Sequence, residues 1–337
     1  PLFNSLVRRA AAEKEDVLLL LPNAFFTFFY IWSILSEDYG AALAFFAVAL
    51  SAVHLVMLNV VIRRCGHDIQ LRLALLGMSL FFLTIAVPLY LDMYAVVLAW
   101  SAEAVVLTLI GHRYRSGWTM AAGAAAILLS FGQLLNQLPM HSGVFQPVFN
   151  PVFGTWLFAA GAAAVCHLLY RRNKCAGTLY LSEISQMFHS FSVLLLLGAV
   201  IMELWWHCEY NIADYAAAES RFVTGMMPLL ALFTLLLIVR PLSPGGKFNT
   251  VPATVLGVAG AVFGVIAFNE GYHDSFILFV NINFVSAMLF VGGLFAAGWL
   301  LRRYHKESVL SKILSLTAVL TLWVLLTEQI YLYWYCR

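Results

Sequence analysis

Apolar runs of about twenty residues follow one another along almost the whole of this 337-residue chain. A bilayer's hydrocarbon core is about 30 Å thick and takes about 20 apolar residues per crossing helix. Only 11% of the residues are charged and 62% are hydrophobic, against about 25% and about 45–50% in a soluble domain. These figures predict an all-α fold, a polytopic transmembrane helical bundle, read as one transmembrane domain over 1–337. They leave no room for a soluble catalytic or nucleotide-binding domain. A net charge of +2 does not suggest a polyanionic partner, so no nucleic acid is expected.

Against a window of about 19 residues, eleven spans emerge: 17–36, 41–62, 71–91, 95–111, 118–138, 152–170, 187–206, 221–239, 251–269, 277–301 and 309–332. Pro22-Asn23 interrupts the first, where a broken or partly re-entrant helix is the alternative. Pro139, Pro147, Pro151, Pro241, Pro244 and Pro252 are expected in loops or first helical turns. Seventeen of the nineteen Lys and Arg then fall on one face, leaving only Arg221 and Arg337 on the other. The positive-inside rule puts the basic face and the N-terminus in the cytoplasm, and the C-terminus outside. The first residue is Pro1, not Met, and a longer precursor is expected. The opening residues show no n-region, h-region and cleavage-site pattern, so no signal peptide is expected in this part of the chain.

A pattern recurs beneath the spans. Shifting 145–172 by 131 aligns Phe145 with Phe276, Asn150 with Asn281, Phe153 with Phe284, Gly161 with Gly292 and Leu169 with Leu300. It also aligns Arg171-Arg172 with Arg302-Arg303, and each basic pair leads into a span ending in an acid, Glu203 or Glu328. The expected unit is a helical hairpin with a basic turn, occurring at 145–206 and 276–332, in parallel rather than inverted orientation.

Several polar residues are candidates for substrate or proton binding. Glu103 sits mid-span, where a carboxylate costs about 3 kcal/mol unless paired, wet or protonated. Its alternatives are a proton or cation site and a packing hydrogen bond to a neighbouring helix. Glu203 and Glu328 lie near the outer ends of matching spans, and His207 shares a helix face with Glu203 one turn further out. With Glu270, His273 and Asp274 they would form a carboxylate–imidazole cluster if the outer tips converge. Inert interfacial residues are the plainer reading.

Gly260-x-x-x-Gly264, with Gly257, Gly292, Gly293 and Gly298, reads as helix-packing faces. His54 finds no partner for a haem, and no CxxC, HExxH or Walker signature occurs, so no cofactor or metal is expected. Cys208 and Cys336, both placed at the outer face, could form a disulfide there, with free thiols as the alternative.

Trp100-Ser101-Ala102-Glu103-Ala104, running to Gly111-His112-Arg113, resembles the W-x-x-E-A…L-G-x-R signature of a bacterial multi-span family. So do the hairpin ending in Leu301-Arg302-Arg303 and the late Thr327-Glu328-Gln329-Ile330 before an aromatic tail. That family is the domain of unknown function 2339, "predicted membrane protein". The resemblance implies a bacterial inner-membrane setting and a C-terminal part of a longer chain, and it supplies no activity.

Three functions compete. One is transport or flipping of a polar or lipid-linked envelope substrate, suggested by the recurring unit and Glu103. Another is a membrane scaffold or assembly subunit that binds a protein partner or forms a homo-oligomer, to which the short loops are suited. The third is a membrane enzyme on a lipid-linked substrate at the outer face, recommended by the pair Glu37-Asp38 but by no catalytic motif. Membrane lipids are partners in all three.

Overall fold

The computed structural model describes residues 14–35, 40–64, 69–90, 93–136, 146–172, 180–239, 247–268, 279, 281–305 and 308–335. Among the described residues there are eleven α-helices and no strand: α1 Lys14–Leu35, α2 Gly40–Arg64, α3 Ile69–Tyr90, α4 Met93–Tyr114, α5 Gly117–Asn136, α6 Pro151–Arg172, α7 Tyr180–Asn211, α8 Tyr215–Ile238, α9 Lys247–Phe268, α10 Ile282–Leu300 and α11 Ser308–Tyr335. A single π-helical turn, Leu301–His305, follows α10. Ten of the eleven helices, all but α1, are long and apolar enough to cross a membrane.

Each helix corresponds to one of the expected spans. The largest departure is α7, which runs 32 residues and so carries His207 and Cys208 inside the helix. The break considered at Pro22-Asn23 does not occur, because α1 continues through both residues. A proline removes one amide donor, and the remaining turns keep their bonds. Pro252 also lies inside a helix, since α9 starts at Lys247, four residues before the expected span.

Turn chemistry explains the tightest connection. Gly111 accepts from the Ser116 amide at 2.9 Å across Arg115, whose φ is 53°. This six-to-one bond around a left-handed residue terminates α4. The Ser116 hydroxyl then accepts from the Thr119 amide at 3.3 Å, capping α5. A Cβ on Gly111 would stand 2.7 Å from the Met120 nitrogen, so only glycine fits there.

Two compact units emerge, Pro1–Glu103 with Leu128–Gln133, and Ala104–Ile127 with Leu134–Arg337. In the first, Phe28 of α1, Leu43 and Ala47 of α2, and Phe82 and Ala86 of α3 form one buried cluster. The buried hydroxyls of Ser51 and Ser79 join α2 to α3 at 3.0 Å.

In the second unit, small residues set the packing of α8 to α11. Lipid tails are as apolar as leucine, so membrane helices associate through close van der Waals fit and not by escaping water. A Cβ on Gly264 would lie 2.2 Å from Met227 Cε, and one on Gly293 would lie 2.5 Å from the Ala231 Cβ. Gly260 is close but less tight, its Cβ position lying 3.0 Å from Leu230 Cδ1 and 3.1 Å from the Phe290 ring. These glycines make the contacts expected of them, whereas Gly292 faces open space.

The buried face of α6 coincides with that of α10 at the same offset of 131. Thr155, Trp156, Ala159, Ala160, Ala162, Ala163, Cys166 and His167 are buried on α6. Ser286, Ala287, Phe290, Val291, Gly293, Leu294, Ala297 and Gly298 are buried on α10.

Candidate functional site

Glu103 lies at the middle of α4, half-buried. One turn earlier on the same face is Trp100, whose indole N–H donates to the Thr84 carbonyl of α3 at 3.1 Å. That bond fixes α3 against α4 and brings the Thr84 hydroxyl onto Glu103 Oε1. The same hydroxyl lies 2.8 Å from the Leu80 carbonyl. A hydroxyl has one hydrogen and two lone pairs, so it serves one of these acceptors at a time. With the carboxylate ionised, Thr84 donates to Glu103. With the carboxyl protonated, Glu103 donates to Thr84, which turns its own hydrogen to Leu80. The pair therefore accommodates either protonation state without moving a helix.

Two residues before Glu103, Ser101 meets Ser130 at 2.7 Å, and Ser130 donates to the Val97 carbonyl at 3.2 Å. Both serines are buried. Interhelical hydroxyl pairs of this kind lock register inside a bilayer.

Glu203 belongs to a helix cap. Its carboxylate accepts from the Val148 amide and from Asn150 Nδ2 at 2.9 Å. Asn150 in turn accepts from the Phe153 amide at 2.7 Å, so it is the N-cap of α6. Val148 has φ 67°, a strained conformation for a β-branched residue, and the carboxylate holds its amide.

The start of α10 is built the same way. Phe279 has φ 60°, and Asn281 accepts from the Phe284 amide at 2.8 Å. Gln329 Oε1 receives Asn281 Nδ2 at 3.0 Å and the Phe279 amide at 3.4 Å. The counterpart of Glu203 is thus Gln329 and not Glu328, the residue the sequence alignment paired with it. Glu328 points elsewhere, its Oε2 buried with no hydrogen-bond partner among the described residues.

His207 does share the helix with Glu203, but its Nδ1 meets Asn211 Nδ2 at 3.2 Å and its ring is exposed. Glu270, His273 and Asp274 lie outside the described residues, as does Cys336. Cys208 is buried in α7 and not at an exposed turn. Among the described residues, no three His, Cys, Asp or Glu side chains gather closely enough to hold a metal.

A second polar cluster was not foreseen. His167 of α6 and His189 of α7 are both buried, with ring centroids 5.2 Å apart. His167 Nδ1 lies 2.7 Å from the Ser185 carbonyl and His189 Nε2 lies 3.3 Å from the Leu236 carbonyl. A carbonyl only accepts, so these two nitrogens carry hydrogens. One residue on, Ser190 donates to the Phe248 carbonyl at 2.7 Å and is 2.8 Å from Asn249 Oδ1. The cluster ties α6, α7, α8 and α9 together. Its sequence signal was a histidine near the edge of each of two adjacent spans. That pattern reads as interfacial until the helices prove longer than the apolar windows.

The chain belongs to the family designated DUF2339, predicted membrane protein, whose sequence profile matches residues 3–335. Neither a curated protein nor a solved structure matches it.

Proposed function

We propose that this member of the predicted-membrane-protein family moves a polar or lipid-linked envelope substrate across the bacterial inner membrane, with Glu103 and Thr84 as its proton-responsive element. The observation that carries this reading is a carboxyl half-buried in the middle of a membrane-crossing helix and bonded to a hydroxyl that has a second acceptor. Ionisable groups at that depth are costly and mark ion or substrate pathways. In this reading the basic segments and the N-terminus of the chain face the cytoplasm, and the C-terminus lies outside. The hairpins α6–α7 and α10–α11 are copies of one unit. Their matching buried faces and the two Asn caps support that.

The test is reconstitution in liposomes holding a pH-sensitive dye, with an imposed proton gradient and a fluorescent lipid-linked sugar in one leaflet. Wild type should dissipate the gradient or translocate the probe, and Glu103→Gln should do neither while folding normally. Equal fluxes in both, or none in wild type, would defeat the proposal.

A second reading, a membrane scaffold that engages a protein partner or a second copy, draws on a different observation. Glu203 and Gln329 are committed to capping helices, and α8 to α11 are packed glycine against side chain. Cross-linking in native membranes would capture a stoichiometric partner under this reading.

A further inference from the structure

Beside α10 and α11 lies a cavity of about 430 Å³ lined by Arg302, Ser311, Lys312 and Ser315. That falls within the range of roughly 300–1,000 Å³ seen for small-molecule sites. Among the described residues that line it are two cations and two hydroxyls and no carboxylate. Both cations are exposed, and neither makes an ion pair with any described residue.

The lining follows from how this hairpin differs from its counterpart. Ser185 of α7 donates to the His167 carbonyl at 3.3 Å, and Ser311 of α11 donates to the Gly298 carbonyl at 2.7 Å. With α6 and α10 offset by 131 and α7 and α11 by 126, His167 corresponds to Gly298 and His189 to Ser315. Two imidazoles in the first hairpin are thus replaced by a hydrogen and a hydroxymethyl in the second. Gln186, at the same offset, is replaced by Lys312.

Backbone geometry adds to this. The helix widens into the π turn Leu301–His305, which carries Arg302, and the Leu301 amide reaches both the Ala297 and Gly298 carbonyls. Single π turns recur at functional sites. Arg303 stacks over the Trp299 ring at 4.9 Å, and Trp299 and Tyr304 are both exposed. Exposed Trp and Tyr beside a basic segment mark headgroup depth.

We propose that the cavity bounded by Arg302, Ser311, Lys312 and Ser315 binds a phosphate group, presented by an anionic lipid headgroup or as a free phosphate. Arg offers a planar fork for phosphate oxygens and Lys a point charge, and Ser315 adds a hydroxyl donor. The site stands independently of any transport activity.

The full chain in detergent would be titrated with phosphatidylglycerol or phosphatidylcholine and read by native mass spectrometry, and separately with radiolabelled inorganic phosphate. Wild type should retain phosphatidylglycerol over phosphatidylcholine, or bind inorganic phosphate; the first result identifies a lipid source and the second a soluble one. The double variant Arg302→Gln/Lys312→Gln should lose affinity on the order of 30-fold, about fivefold per cation. Ser315→His restores the bulk found in the other hairpin, keeps both cations, and should lose binding comparably. Wild-type binding by either variant overturns the proposal, as does failure of wild type to bind either probe.

Discussion

Asn281 donates its side-chain amide to Gln329 at 3.0 Å, at the place where Asn150 donates to Glu203 at 2.9 Å. An uncharged carboxamide therefore does in one hairpin what a carboxylate does in the other. Glu203→Gln should consequently fold with wild-type stability, because one amide oxygen can accept from both Asn150 and the Val148 amide, as Gln329 Oε1 does from Asn281 and Phe279. Glu203→Ala removes the acceptor for two donors and should cost about 1–3 kcal/mol. Thermal unfolding in detergent, followed by size-exclusion chromatography, checks both. A Gln variant as unstable as the Ala variant would show that the charge, not the cap, is what matters.

The Thr84–Glu103 pair makes a different demand. Glu103→Lys puts a cation where the only described polar partner is a hydroxyl, and should lower stability by about 3 kcal/mol. Glu103→Gln and Thr84→Ser keep a donor and an acceptor in place and should accumulate normally. Thr84→Val and Glu103→Leu, each of which removes the bond, should together show a coupling of roughly 0.5–1.5 kcal/mol in a double-mutant cycle. Additivity within error would mean that the contact contributes nothing.

Helix number and placement were legible because a span leaves an unmistakable mark, a run of about twenty apolar residues. The mid-span position of Glu103 followed directly. Its partner did not, since Thr84 lies on another helix and no sequence spacing relates the two. The Asn150–Asn281 match was visible as an identity, yet its purpose as a pair of N-caps required the geometry. The pairing of Glu203 with Glu328 failed by one residue. Beyond the π turn only two residues lead into α11, where seven join α6 to α7, so the offset changes from 131 to 126 within the hairpin. The cluster at His167 and His189 stayed hidden because its members and their carbonyl partners lie on different helices that no sequence spacing relates.

Orientation is open to direct labelling. Trp118, at the start of α5 beside the basic turn, and Phe149, just before α6, are 90% and 87% exposed. In a variant whose native cysteines are replaced by serine, Phe149→Cys should react with a membrane-impermeant maleimide in intact cells. Trp118→Cys should react only after permeabilisation. Labelling of Trp118→Cys from outside would invert the proposed topology.

The neighbouring glycines of α10 give the sharpest test of packing, because they are adjacent in sequence and opposite in surroundings. A methyl on Gly293 would meet the Ala231 Cβ at 2.5 Å, while one on Gly292 would meet nothing within 4 Å. Helix backbones cannot separate at one residue without loosening the contacts on either side, and Phe290 and Leu294 flank this one as fully buried side chains. Gly293→Ala should therefore lose about 1–3 kcal/mol by overpacking. Gly292→Ala escapes that clash and gains helix propensity worth up to about 1 kcal/mol, so it should be neutral or stabilising. Unfolding midpoints of the two variants, measured side by side in one detergent, decide the matter. Equal midpoints would mean that α8 and α10 do not meet at Gly293.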